Sequence, residues 1–101
     1  MGRLQFQFEW DDAKASANLR KHGVPFELAR TVFNDARLLT VADLEHSETE
    51  ERWFSVGCAS NGMMLSVVYV WFGASSSTTE IRLISARKAT HTEIRQYQEG
   101  L

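Results

Sequence analysis

Between Arg52 and Glu80 the chain carries no charged residue, and that gap constrains the fold more than any other feature. Within it "MMLSVVYVWF" is apolar at nearly every position, so neither face of an extended segment here suits water. Its Val, Tyr, Trp and Phe residues favour a strand, and a strand apolar on both sides belongs in the middle of a sheet. With its flanking Gly-Ala the run reaches about a dozen residues, short of the roughly 18 that a membrane span needs. Neighbours for this strand lie on both sides in sequence. "RWFSVGCAS" precedes it across Asn61-Gly62, a strong hairpin signal, and "EIRLISAR" follows the turn "GASSSTT". Further upstream, "ARLLTVAD" reads as a short strand and "LEHSETEE" as a polar loop.

The N-terminal half has a different period. "LQFQFEW" alternates Leu4, Phe6, Phe8 and Trp10 against polar residues, as a half-buried strand does. "DDAKASANLRKHG" then gathers acids at its start and cations at its end, with Asp11 or Asp12 as N-cap and Gly23 as the stop. Pro25 suits the first turn of a second helix, "PFELARTVFND", whose apolar face holds Phe26, Ala29, Val32 and Phe33. At the far end, Thr90 and Glu93 form a capping box for the helix "THTEIRQYQEG", which Gly100 terminates. The order β-α-α-β-β-β-β-α predicts an α+β fold: an antiparallel meander with two N-terminal helices and one C-terminal helix. Residues 1–101 make one domain.

Composition removes several classes of function. Cys58 is the lone cysteine, and His22, His46 and His91 show no metal-ligand spacing, so neither a zinc site nor a disulfide framework is expected. No GxGxxG, Walker-type loop or GxSxG elbow occurs, and no cofactor is expected. The first ten residues contain no apolar signal region, which predicts a cytoplasmic protein without membrane attachment. The net charge of -2 and pI of 5.9 argue weakly against a nucleic-acid binder. Charge is unevenly distributed, however. Residues 1–50 hold six Lys/Arg and nine Asp/Glu, residues 51–101 five and four. Arg82, Arg87, Lys88 and Arg95 can therefore build a local positive field on an acidic chain.

Three polar groups stand out. Lys21-His22 ends the first helix, where the pair either answers the helix dipole or takes part in chemistry. Glu50, Glu51 and Arg52 open a strand, as an exposed ion pair or as part of a site. Arg82 lies within a strand and Arg87-Lys88 at its end. Strict alternation points Arg82 away from Arg87, and an arginine in an inner strand must emerge on an open face or meet an anion. Trp53, Tyr69, Trp71 and Phe72 lie on adjacent strands and read as core, with base stacking by Tyr69 or Trp71 as the alternative. Tyr97 on the last helix reads as packing.

Three stretches, "FEWDDAKASANLRKHGVPFELARTVFND", "EERWFSVG" and "IRLISARKATHTEIRQY", together resemble the BrnT family of bacterial toxins from Phe8 to Tyr97. The resemblance implies a RelE-like fold, a type II toxin–antitoxin system, and a BrnA-like ribbon-helix-helix antitoxin as partner. It also implies that the pair binds promoter DNA and represses its own operon. The implied activity is metal-independent RNA cleavage, in which the ribose 2′-oxygen attacks the adjacent phosphorus. Such a reaction needs guanidinium groups for the phosphorane's charge and a His or carboxylate for proton transfer. On that basis Arg82, Arg52 and Arg87 become candidate phosphate ligands, His22 the acid or base, and Glu51 the competing base. Lys21 and Lys88 become auxiliary cations, and Tyr97 a substrate contact. His91 stands where the family often has a basic residue. A non-catalytic module that positions a DNA-binding antitoxin is the alternative.

Overall fold

A computed structural model describes residues 5–42, 52–72 and 78–100. The elements are β1 (Gln5–Glu9), α1 (Asp12–His22), α2 (Phe26–Ala29), a 3₁₀ turn (Arg30–Asn34), β2 (Leu39–Ala42), β3 (Arg52–Cys58), β4 (Met64–Phe72), β5 (Thr78–Lys88) and α3 (His91–Glu99). The expected order is present, and the fold is α+β. β2 to β5 form the expected antiparallel meander, with β4 inside the sheet. β1 departs from that plan: it pairs parallel to β5, giving a mixed five-stranded sheet in the order β1-β5-β4-β3-β2. The reason is aromatic. Parallel register carries Phe6 and Phe8 to Phe33, whose ring meets Tyr69 edge-on at 4.8 Å between centroids.

Cross-strand partners point to the same side of a sheet, so the register sorts the side chains into two faces. Leu65, Val67 and Tyr69 on β4 share a face with Ile81, Leu83 and Ala86 on β5. Val24, Phe26, Ala29 and Val32 pack onto it, and these ten side chains are all buried. At about 1.5–3 kcal/mol for each large apolar side chain buried, this layer dominates the fold's stability. Gly57 permits its closest approach, because a Cβ there would meet Leu38 Cδ1 at 2.5 Å and Val32 Cβ at 3.2 Å.

α1 is attached differently, for its buried residue is Asn18. The Asn18 amide donates to the carbonyls of Val24 (3.1 Å) and Ala86 (2.9 Å) and accepts the Ala86 N–H at 3.0 Å. β1 pairs with β5 only as far as Arg82, so this amide satisfies backbone groups that no neighbouring strand reaches. Asp11 accepts from the Lys14 N–H at the helix start, and Gly23, at φ 71°, closes the end. α2 is shorter than the expected helix. Pro25 is its N-cap, and after Ala29 the chain tightens into the 3₁₀ turn, where Thr31 Oγ1 donates to Leu28 O and accepts from the Ser60 N–H.

A β-bulge in β5 corrects the alternation expected for its arginines. Val68 pairs with Ser85 but Tyr69 pairs with Leu83, which leaves Ile84 as an extra residue. Arg82 is therefore opposite Val70 and Arg87 opposite Ser66, two positions on one face of β4. Arg82 and Arg87 point to the same side, and Ala86 joins Ile81 and Leu83 on the other.

Candidate active site

The second face of the sheet is the one that gathers cations. Its register places Arg52 on β3, Val70 on β4, Arg82 on β5 and Glu9 on β1 in one row across four strands. Val70, between the two arginines, is only 3% exposed. The next row is apolar: Val41 on β2, Phe54 on β3 and Val68 on β4. Val41 is 47% exposed, and the other two are partly exposed. Beyond it, Leu39, Val56, Ser66 and Arg87 form a third row.

Arg82 and Arg87 are held in different ways. Arg82 Nε donates to Glu9 Oε2 at 2.9 Å, and both side chains are about half exposed, so the pair contributes little to stability. Arg87 is held much more firmly. Its Nη1 and Nη2 donate to Glu93 Oε1 and Oε2 at 2.8 and 2.9 Å, a bidentate pair. Glu93 also accepts from the Ser66 hydroxyl at 2.7 Å and the Thr90 N–H at 2.9 Å. The Arg87 hydrogen bonds are the main reason that the Glu93 carboxyl is lowered to about 2, against an opposing effect of burial. Glu93 in turn holds Arg87 charged by raising its pKa. Arg87 also lies over the Phe54 ring, 5.9 Å from its centroid. A guanidinium with both terminal nitrogens on a carboxylate is a structural pin before it is a phosphate ligand.

Glu93 thus does more than the capping box required of it. It ties α3 to the sheet, and Tyr97 adds a second tie. The Tyr97 hydroxyl donates to Asp35 Oδ2 at 2.6 Å, the Cys58 N–H donates to the same oxygen at 2.8 Å, and Arg37 stacks on the Tyr97 ring. Desolvation is the largest single influence on the Asp35 carboxyl and pushes it up, but the hydrogen bonds together outweigh it and lower it, and the bond to Asp35 raises the Tyr97 hydroxyl. Asp35 was not among the expected site residues. Through its bond to Asp35, Tyr97 anchors the helix.

The remaining expected residues are scattered. His22 lines a shallow depression of about 210 Å³ with Lys14, Ala17, Asn18, Lys21, Ile84 and Ser85, and none of the three arginines shares it. Lys88 pairs with Leu65 in register and so projects to the side opposite Arg87. Glu51 lies outside the described residues, as does His46. Of the aromatics, Tyr69 is buried with its hydroxyl 2.7 Å from Ser55 Oγ, and Phe72 is not among the side chains described. Trp53 stacks on Trp71, which departs from the core reading by being 49% exposed. Among the described residues no three of His, Cys, Asp and Glu converge as a metal ligand set, and no helix is long and apolar enough to cross a membrane.

Comparison with known proteins gives this face its context. The family model for the ribonuclease toxin BrnT of type II toxin–antitoxin systems matches residues 10–93. The crystal structure of the Brucella abortus ribonuclease toxin BrnT resembles this chain with a TM-score of 0.56 at 17% identity, over 90% of this chain and 100% of that one. At that identity the likeness concerns the fold. No curated protein matches the chain. The family match spans α1, the whole sheet from β2 to β5 and the start of α3, and on that ground the chain belongs to the BrnT family of type II toxin–antitoxin ribonuclease toxins.

Proposed function

We propose that this protein is an endoribonuclease toxin, RelE-like in fold, that cleaves RNA without a metal ion. The single observation that carries the reading is the row of Arg52, Val70 and Arg82 on the second face of the sheet, in a chain of this family. Two guanidiniums on strands that flank a common neighbour present forked donors to one phosphodiester. The 2′-oxygen attacks phosphorus, the bond to the 5′-oxygen breaks, and the products carry a 2′,3′-cyclic phosphate and a 5′-hydroxyl. Arg52 and Arg82 offset the charge that builds up on the phosphorane oxygens. Proton transfer falls to His22 or Glu51. Arg87, with Glu93, fixes the wall of the site, and Lys21 and Lys88 supply long-range positive potential.

The partner in this reading is a BrnA-like ribbon-helix-helix antitoxin in the cytoplasm, and the complex binds promoter DNA to repress its operon. One observation favours the alternative, a non-catalytic module that positions the antitoxin: His22 occupies a depression separate from the arginine row. Expression without the antitoxin separates the two. The ribonuclease reading expects growth arrest, transcripts ending in 2′,3′-cyclic phosphate, and cleavage in vitro that persists in a chelator. It also expects Arg82→Ala to remove all three. Normal growth with intact RNA would establish the module instead.

A further inference from the structure

The ribonuclease reading leaves the apolar row beside the arginines without a role. Val41, Phe54 and Val68 lie side by side on β2, β3 and β4, next to the row of Arg52, Val70 and Arg82. Rows on one face of a strand are two residues apart, about 7 Å along the strand. A ribose sets a phosphate and its own base apart by a similar span. The two rows therefore match the two halves of a nucleotide, the charged half and the flat half.

Phe54 is the aromatic residue of these rows, and its ring is held in place. Arg87 covers one side at 5.9 Å from the centroid, and Arg87 is itself fixed by the bidentate pair with Glu93. With Arg87 on one side, Phe54 as a whole is still partly exposed. A rigid aromatic ring beside fixed cations stacks any base, since every base has a π-face. A peptide side chain would be better served by a pocket, whereas Val41, at 47% exposed, makes the row a shelf.

We propose that Phe54 is a base-stacking platform of the RNA site, taking the base of the nucleotide whose phosphate lies on Arg52 and Arg82. The proposal rests on the ribonuclease reading and adds the contact that selects single-stranded over paired RNA, because a stacked base must first leave its duplex.

The test uses the full chain and a short 2′-O-methyl oligoadenylate, which binds without being cut, alongside versions with one abasic residue at each position. Phe54→Leu should weaken binding of the intact oligonucleotide roughly 5- to 150-fold, and Phe54→Trp should retain it. In the wild type, one abasic position should cost a similar factor. In Phe54→Leu that position should cost nothing further. Equal affinity in wild type and Phe54→Leu would overturn the platform, as would an abasic penalty that survives the substitution. Loss of antitoxin binding with RNA binding unchanged would make the shelf a protein-docking surface. A wild type that does not bind the oligonucleotide at all would instead sink the ribonuclease reading. Should Phe54→Leu not fold, Phe54→Met repeats the comparison, and a wild type in which no abasic position costs affinity would itself overturn the platform.

Discussion

The two faces of the sheet are stabilised by opposite means. On one, α2, the 3₁₀ turn and Val24 bury a continuous apolar layer over Leu65, Val67, Tyr69, Ile81, Leu83 and Ala86. On the other, α3 buries no residue fully and is pinned by Glu93, Tyr97 and a contact from Arg37 to the Gln98 carbonyl. The difference separates the face that supports the fold from the one proposed to bind RNA. Packing makes the first face dry and rigid. The second leaves Arg82 and Val41 about half exposed beside buried Val56, Ser66 and Val70, which suits the binding role proposed for it.

That contrast can be broken most forcefully on the covered face. Phe26→Ala removes a ring that is 1% exposed and should cost about 3–5 kcal/mol, enough to unfold much of the protein. Chemical denaturation would measure it, and a loss under about 1 kcal/mol would mean that the layer is not the main support. Asn18→Ala comes next. It leaves the Ala86 backbone groups without their partner at the end of β5 and should cost about 1–3 kcal/mol. Hydrogen exchange should then quicken at Ala86 before it does in β4.

On the other face Glu93→Gln separates tethering from folding. With the carboxyl lowered from 4.5 to about 2, its stabilising contribution is complete above pH 4.5 and is lost as pH falls toward 2. The full effect is on the order of 3 kcal/mol. Acid titration of the wild type should loosen α3 across that window, and Glu93→Gln should flatten the transition. Tyr97→Phe deletes one hydrogen bond to Asp35 and should cost about 1 kcal/mol, seen as a small drop in melting temperature.

What the sequence made legible was local. The caps at Asp11, Gly23, Thr90 and Gly100 follow from short-range chemistry, and the strand order follows from runs of apolar residues. Long-range pairing was not legible. Nothing within "LQFQF" says that it pairs parallel to β5, since that choice is made by Phe33 and Tyr69 elsewhere in the chain. The bulge at Ile84 was equally hidden, and it alone decides that Arg82 and Arg87 share a face. Glu93 was visible as a cap, but its pairing with Arg87 needs the turn at Ala89 and Thr90 to bring them together. For the site, residue types were readable while their grouping was not: the register joins Arg52 to Arg82 and leaves His22 in a separate depression.

The central claim is that the row of Arg52 and Arg82 binds and cuts RNA while its charges contribute little to the fold. Arg52→Gln with Arg82→Gln, measured in one preparation for denaturant stability and for cleavage of a defined single-stranded RNA, tests it most directly. The account predicts stability within about 1 kcal/mol of wild type and cleavage slower by at least about 100-fold. Undiminished cleavage, or a collapse in stability with the lost activity, would contradict it.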